Sequence, residues 1–392
     1  MYLCFALLKS SIDFPHPFRD NRGGNTPFAL PKEEPTLHQL RAADYGLCVG
    51  SLPKGPHNRI TDVPGVTVGH CTVDTPAHKT GVTVLFPCPE NPFVHKLPAA
   101  AFVLNGFGKS AGLMQIQELG TLESPIALTN TLNVGLVHDA LVEYMVRRCD
   151  REGVSMRSLN PVVCECNDST LNDILHRAVG EKEVFAAMEA AGADFAEGDV
   201  GAGKGMVCHD LKGGIGTASR CLEVDGKTYT LGVLVLANHG NLRDLTIAGE
   251  HIGPQLEERL RVGQTEDQGS CIAIVATDLP LDARQLERVA KRVSVGLARL
   301  GSYIGHGSGE VFLAFSTANA YDPRAEEKIR TVSAFREDSM DLPFQAVAEC
   351  AEEAVLNVLF TARTVTGSQG KTVHALTELW TPNTSQEAFT HE

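Results

Sequence analysis

The junction Gly269-Ser270 constrains this chain more than any other feature. The polar loop 264–268 gives way there to an unbroken apolar run, Ser270-Cys271-Ile272-Ala273-Ile274-Val275-Ala276. A short apolar run bounded by a polar loop reads as a strand buried on both faces. Whatever the chain folds into must therefore begin a core strand at a serine. If the peptide bond before Ser270 breaks, one residue carries both an attacking hydroxyl and, in its new α-amine, a base to activate it. Gly269 suits the position before that bond, because glycine tolerates the strained backbone that an N→O acyl shift requires. Gly-Ser at a loop-to-strand boundary is also ordinary turn chemistry, so the residues downstream must decide.

After the run, Asp282 and Gln285 form a capping-box pattern that predicts a helix start. Leu286, Val289, Ala290, Val293, Leu297 and Leu300 make one apolar stripe that stops at Gly301. The Gly-rich loop Gly305-His306-Gly307-Ser308-Gly309 then leads into a strand from Glu310 to Ala314, and a last long helix is expected over 344–362. Ser308 and Glu310 lie two apart, so on a strand they share a face. Two strands joined through a helix tend to become sheet neighbours, which brings Ser308 and Glu310 within reach of Ser270. A carboxylate there could hold an α-ammonium and a second hydroxyl could pass a proton. The duller reading is a strand start with a charged edge residue.

Upstream, short β-branched or apolar runs at 66–68, 82–86, 101–104 and 125–128 read as strands, and helical patterns cover 134–149, 171–179 and 182–191, the last capped by Gly192. Asp225-Gly226 joins two strand-like arms as a type I′ hairpin. Strands buried between helices on both sides imply the α/β class and an αββα sandwich. Residues 1–43 read as a mobile N-terminal extension without a core, followed by a single domain over 44–392.

Hydrophobic content of 43% and charged content of 21% describe a soluble globular chain, and a formal net charge of −14 speaks against nucleic-acid or anionic-membrane partners. The 11 cysteines include no Cys-x-x-Cys pair, and most sit in apolar surroundings, as reduced core thiols do. With no secretory pattern and no apolar stretch long enough for a membrane span, the expected compartment is the cytoplasm. No His, Asp, Glu or Cys cluster has the sequence spacing of a catalytic metal site, so neither metal nor cofactor is expected.

Four further segments bear on chemistry. Asn238 ends an apolar strand, where a neutral amide donor suits an oxyanion site, although Asn-His-Gly also reads as a turn. Glu165 is a carboxylate inside the apolar strand pattern 162–166, and needs a partner such as a substrate ammonium or a local Lys or Arg. His306, flanked by glycines, has no third group to complete a Ser-His arrangement. Gly198 to Lys204 fits G-x-x-x-x-G-K, but Gly205 stands where a phosphate-binding loop needs Ser or Thr. The glycines there suit tight packing beside Lys212-Gly213-Gly214-Ile215-Gly216.

Taken together, these stretches resemble the peptidase family of the L-aminopeptidase D-Ala-esterase/amidase and the β-peptidyl aminopeptidases. The matching segments are Ile60 to His70, Leu128 to Thr131, Val200 to Gly203 with Gly205-Met206, Lys212 to Arg220, Gly269-Ser270, Ala276 to Asp278 and Gly307 to Glu310. The resemblance implies a precursor that cleaves itself into an α chain ending at Gly269 and a β chain, 270–392, which stay associated. It also implies an αββα sandwich resembling N-terminal-nucleophile hydrolases, assembly as a homotetramer, and removal of N-terminal residues from short peptides, amides or esters. Ser270 matches the nucleophile, Ser308 and Glu310 its partners, Asn238 the oxyanion donor and Glu165 an acid that receives the substrate amine. Lys109 stands where an acid is expected, and Ser169-Thr170 where many relatives carry Gly and an aromatic, which leaves α-, β- and D-aminoacyl preference open. Two other readings remain: an acyltransferase of the ornithine-acetyltransferase type, in which Thr normally takes the nucleophile position, and a nucleotide-binding protein using Gly198 to Lys204.

Overall fold

Two β-sheets lie face to face, and helices cover the outer side of each. This computed structural model describes residues 39–260 and 269–382; residues 1–38, which hold most of the expected extension, and the polar loop 264–268 lie outside the described residues. The last residues of the expected extension are tied down. Ala42 is buried in the core, and Arg41 pairs with Glu197 at 2.8 Å.

The chain lays down β1 (Thr67–Asp74) and β2 (Lys79–Phe86), crosses to the other sheet with β3 (Leu97–Gly106), α1 (Leu113–Leu119) and β4 (Thr121–Leu122), then returns for β5 (Ile126–Asn130), α2 (Val134–Arg151), β6 (Val162–Cys166) and α3 (Glu181–Glu189). A tight hairpin, β7 (Val207–Cys208) and β8 (Leu211–Lys212), precedes the long arms β9 (Gly214–Val224) and β10 (Lys227–Asn238). After the small β11 (Thr246–Ile247), β12 (Glu250–His251) and α4 (Gly253–Leu260) come β13 (Ser270–Thr277), α5 (Ala283–Ala290), α6 (Val293–Arg299), β14 (Gly309–Ser316) and α7 (Asp341–Thr361). One sheet runs β1-β2-β5-β6 and the other β4-β3-β14-β13-β10-β9.

Alternation along the strands sorts apolar side chains into three layers. Val82, Val84 and Val163 pack outward against Val137 and Leu141 of α2 and Val184 of α3. Leu85, Leu128 and Cys164 face Leu236, Ile272, Ile274 and Leu313 across the central layer. Val233, Ala273, Val275 and Phe312 pack against Leu286, Val289, Leu297 and Val355 on the far side. This is the αββα sandwich the sequence implies. Arg220, fully buried in β9, ties that sheet to α7 through Glu349 at 2.9 Å and Glu353 at 2.8 Å. A buried cation is tolerable only when paired in this way.

Several local readings hold. Asp225 and Gly226 both adopt positive φ, 49° and 74°, as a type I′ turn requires. Asp282 and Gln285 form the reciprocal capping box. Others differ. The stripe from 286 to 300 is two helices broken at Lys291-Arg292, and the break lets Gly296 press on α7, where an added Cβ would stand 2.6 Å from the Glu352 nitrogen. Segment 171–179 holds only a short 3-10 turn, Ile174–His176, which ends at Arg177 in the left-handed region with φ 49°. Gly192 pairs with Val68 as a β-bridge, and α3 ends earlier, at Glu189.

Candidate active site

Ser270 is the first residue of β13, an interior strand. It pairs with Asn238 at the end of β10 on one side and with Gly309 at the start of parallel β14 on the other. Strand, helices and strand have thus made neighbours of the two segments, and one end of the sheet collects Asn238, Gly269, Ser270, Ser308 and Glu310. Ser270 is 6% exposed, while Ser308 and Glu310 are fully buried.

The peptide before Ser270 is held closely. Gly309 N–H donates to the Gly269 carbonyl oxygen at 3.1 Å. A Cβ on residue 269 would stand 2.0 Å from the Asn238 carbonyl oxygen and 2.8 Å from His239 Cα, so only glycine fits there. On the C-terminal side of Ser270, the Cys166 thiol donates to its carbonyl oxygen at 3.5 Å.

Alternation assigns the faces. Ser270 falls on the face of Ile272 and Ile274, towards the other sheet, and Glu310 on the face of Phe312 and Ala314, towards α5–α7. The Ser308 hydroxyl donates to the Glu310 carboxylate, so the two act as one unit behind the strand that begins with Ser270. Asn105 donates to the carbonyl oxygens of Gly305 and Ser308 and pins the Gly-rich loop. The Asn105 side chain could not be picked out in the sequence, because its role depends on β3 pairing with β14.

Asn238 is 7% exposed; its Oδ1 accepts Val207 N–H at 2.8 Å and its Nδ2 donates to the Asn167 carbonyl at 3.2 Å. Those contacts fix the amide plane and occupy one of its two N–H bonds. Val207 is itself held by the turn that Lys212 clamps. The fully buried Lys212 donates to the carbonyls of Gly203, Met206 and Gly213 at 3.0, 2.7 and 2.7 Å. Burial pulls its ammonium down to about 7.

An open pocket of about 940 Å³ has Ser270 and Asn238 on one wall and Glu165 and Lys109 on another. Glu165 is 4% exposed; it accepts Lys109 N–H at 2.7 Å and the Thr131 hydroxyl. Its partners are thus neutral donors, not the Lys or Arg side chain considered from sequence. The Lys109 ammonium instead sits over the Phe107 ring, 4.5 Å from its centroid. Ser169, Thr170 and His306 also line the pocket, His306 exposed and its carbonyl held by Asn105.

The phosphate-loop pattern is a packing device. Lys204 is spent on Asp74 at 2.7 Å and Asp199 at 3.0 Å, and Gly198 bridges to Ile215. Its glycines lie against backbone, as at Gly203, where a Cβ would stand 2.7 Å from the Gly198 carbonyl oxygen. One cluster escaped sequence reading: Cys208, His209 and His239 converge beside Asn238. The expectation of no ligand cluster considered sequence spacing alone, and these donors meet only through the pairing of two separate segments.

Residues 58–373 match the model of Peptidase family S58. The chain is 37% identical over 358 residues to the beta-peptidyl aminopeptidase BapA of Sphingosinicella xenopeptidilytica, covering 86% of this chain and 88% of that protein. Among solved structures, a Burkholderia sp. beta-aminopeptidase is similar with TM-score 0.78 and 39% identity, over 88% of this chain and 100% of that one. The L-aminopeptidase D-Ala-esterase/amidase of Ochrobactrum anthropi, described as a variant among the Ntn hydrolase fold, is similar with TM-score 0.79 and 35% identity, over 86% and 95% of the two chains.

Proposed function

The chain belongs to peptidase family S58 and is a hydrolase of the aminopeptidase type, and from that premise we propose that it matures by cutting itself before Ser270. The observation that carries this reading is the Gly269 carbonyl, held by Gly309 N–H at 3.1 Å directly before the serine that opens β13. The Ser270 hydroxyl attacks the Gly269 carbonyl carbon, and the Gly309 N–H stabilises the charge that develops on its oxygen. The C–N bond breaks, nitrogen takes the proton, and water hydrolyses the resulting ester. The products are a carboxyl on Gly269 and an amine on Ser270.

The new amine then serves as base for the second task. It takes the Ser270 hydroxyl proton as the oxygen attacks a substrate carbonyl, while the Asn238 amide donates to the oxyanion. The proton passes to the leaving amine, and water releases the acyl group. The position of Glu310 and Ser308 behind β13 supports a role in holding the Ser270 ammonium. The recessed position of Glu165 in the pocket wall supports a role in receiving the substrate's own N-terminal ammonium. We assign short peptides, amides or esters as substrates, β-aminoacyl groups among them, since the relatives include beta-aminopeptidases.

Ten free cysteines among the described residues support a reducing compartment, for which we propose the cytoplasm. No helix among the described residues is long and apolar enough to cross a membrane. The exposed apolar side chains Phe107, Met114 and Leu119 support a homo-oligomer, expected as a tetramer. The test of the central reading is chain analysis of purified protein. Two chains are expected, the smaller beginning Ser-Cys-Ile-Ala, with Ser270→Ala uncut and inactive. A single intact chain with full activity would sink the reading.

A further inference from the structure

Behind the Asn238 amide, a strained turn gathers three soft donors. β7 and β8 join through His209 and Asp210, both in the left-handed region at φ 50° and 57°. Non-glycine residues keep such backbone only where their surroundings hold it, and these sites cluster where a protein does work. Here the hold is specific. His209 N–H donates to the His239 carbonyl at 2.8 Å, and the Asp210 carboxylate accepts Leu242 N–H at 3.0 Å.

The turn carries the Cys208 thiol and the His209 ring to His239, the residue after Asn238. All three side chains are buried, and their candidate ligand atoms lie within 4.8 Å of one another. His209 Nδ1 lies 2.9 Å from the Asn241 carbonyl oxygen, which can only accept. Nδ1 therefore carries the hydrogen and Nε2 the lone pair, as in metal-ligating histidines braced by a backbone carbonyl. His239 is 1% exposed, and neither of its ring nitrogens has a hydrogen-bond partner among the described residues. A buried polar ring left in that state calls for an explanation, and a bound ion supplies one. The two ring centroids stand 5.6 Å apart at 64°. Two imidazoles on one tetrahedral ion would place them at about 5 Å.

We propose that Cys208, His209 and His239 bind one borderline-soft divalent cation of the zinc class. One thiolate with two imidazoles is a donor set that suits such an ion and is poor for magnesium or calcium. On binding, the Cys208 thiol loses its proton to solvent and its sulfur donates to the ion. Of the three donors, His239 is the one that also lines the pocket. The ion would brace the β7–β8 turn against the end of β10. Its place is behind the residue that positions the oxyanion, so it acts as a clamp while hydrolysis remains with Ser270.

The test uses full-length protein stripped by a chelator and titrated with Co²⁺ as a spectroscopic probe. One equivalent should bind, with a thiolate-to-cobalt charge-transfer band and the intense d–d absorption of four-coordination, and Zn²⁺ should displace it. Cys208→Ser should abolish the charge-transfer band, whereas Cys350→Ser, which removes a buried thiol elsewhere in the core, should leave it intact. His239→Gln should weaken Co²⁺ binding at least about tenfold, and carries the test if Cys208→Ser does not fold. Failure to bind a stoichiometric ion, or a band that survives Cys208→Ser, would overturn the site. Chelation should lower the melting midpoint and leave hydrolysis intact at 25 °C; hydrolysis lost on chelation and restored by zinc would overturn the clamp role.

Discussion

Gly309 N–H donates to the Gly269 carbonyl oxygen at 3.1 Å, so the carbonyl that the proposed cut would attack already has a donor aimed at its oxygen. A preorganised donor of this kind lowers a barrier without reorganising as charge develops. The bond also holds residue 269 against Asn238 and His239, in a space that admits no side chain.

Gly269→Ala should therefore accumulate as uncut precursor. The added methyl would stand 2.0 Å from the Asn238 carbonyl oxygen, so the backbone must move and the Gly309 contact must lengthen. A strain of ~1–3 kcal/mol at this point slows processing by about 5- to 150-fold. The check is a gel time course of freshly purified protein. Processing at the native rate would show that the close fit is incidental.

Glu310→Gln should cripple turnover far more than folding. The amide keeps the shape and can still accept from Ser308, but it cannot hold an ammonium. Loss of a charge-assisted contact at the reacting centre is worth ~2–4 kcal/mol, about 30- to 1000-fold in kcat/KM. The comparison must be made on protein whose cleavage has been verified, since uncut chain has no Ser270 amine. A processed variant with native turnover would leave Glu310 a structural charge.

Asn238→Ala should lower kcat by about 100- to 1000-fold with little change in KM, the pattern of a lost oxyanion donor. The substitution also strands Val207 N–H, so a melting curve must accompany the kinetics. If KM rises and kcat holds, Asn238 binds substrate in the ground state and the oxyanion role fails.

Acid should destabilise the fold through His70. Burial pulls its imidazole from 6.5 down to about 4, against a smaller opposing pull from the Ala196 carbonyl. The unfolded chain thus takes up a proton below pH 6.5 that the folded chain refuses until about pH 4. Stability from this group is intact above 6.5 and declines through that window, by ~3 kcal/mol at its end. Urea unfolding of the uncut Ser270→Ala chain at several pH values measures it. His70→Gln should flatten the slope; an unchanged slope would assign the acid sensitivity elsewhere.

Local chemistry was legible in the sequence wherever a few adjacent residues decide the structure. Asp225-Gly226 and Asp282 with Gln285 are of this kind, and so is the Ser270 run, whose unbroken apolar character reports burial on both faces. Segment 171–179 misled because its apolar spacing suits a helix while its backbone is engaged by distant segments: Asp173 N–H goes to the Ala77 carbonyl and the Leu171 carbonyl accepts Ser368 N–H. Glu165 called for a partner that sequence could not name, since a backbone N–H leaves no mark in residue identity. The pinning by Asn105 and the meeting of His209 with His239 both depend on which segments pair. That is set by the whole sheet and by no local pattern.

The sheet order carries a consequence for the two-chain form that the proposed cut before Ser270 would give. β13 and β14 sit side by side, with β10 against one and β3 against the other, and both of those outer neighbours come from before the cut. Once cleaved, the shorter polypeptide is inlaid between strands of the longer one, and neither can leave without dismantling the sheet. Unfolding then releases two molecules per protomer where the precursor releases one, so the melting point of the cleaved form should rise more steeply with protein concentration than that of the precursor. Refolding becomes an encounter between strangers. Self-cleavage would thus act as a ratchet: the intact chain folds as one body, and only the folded body is divided.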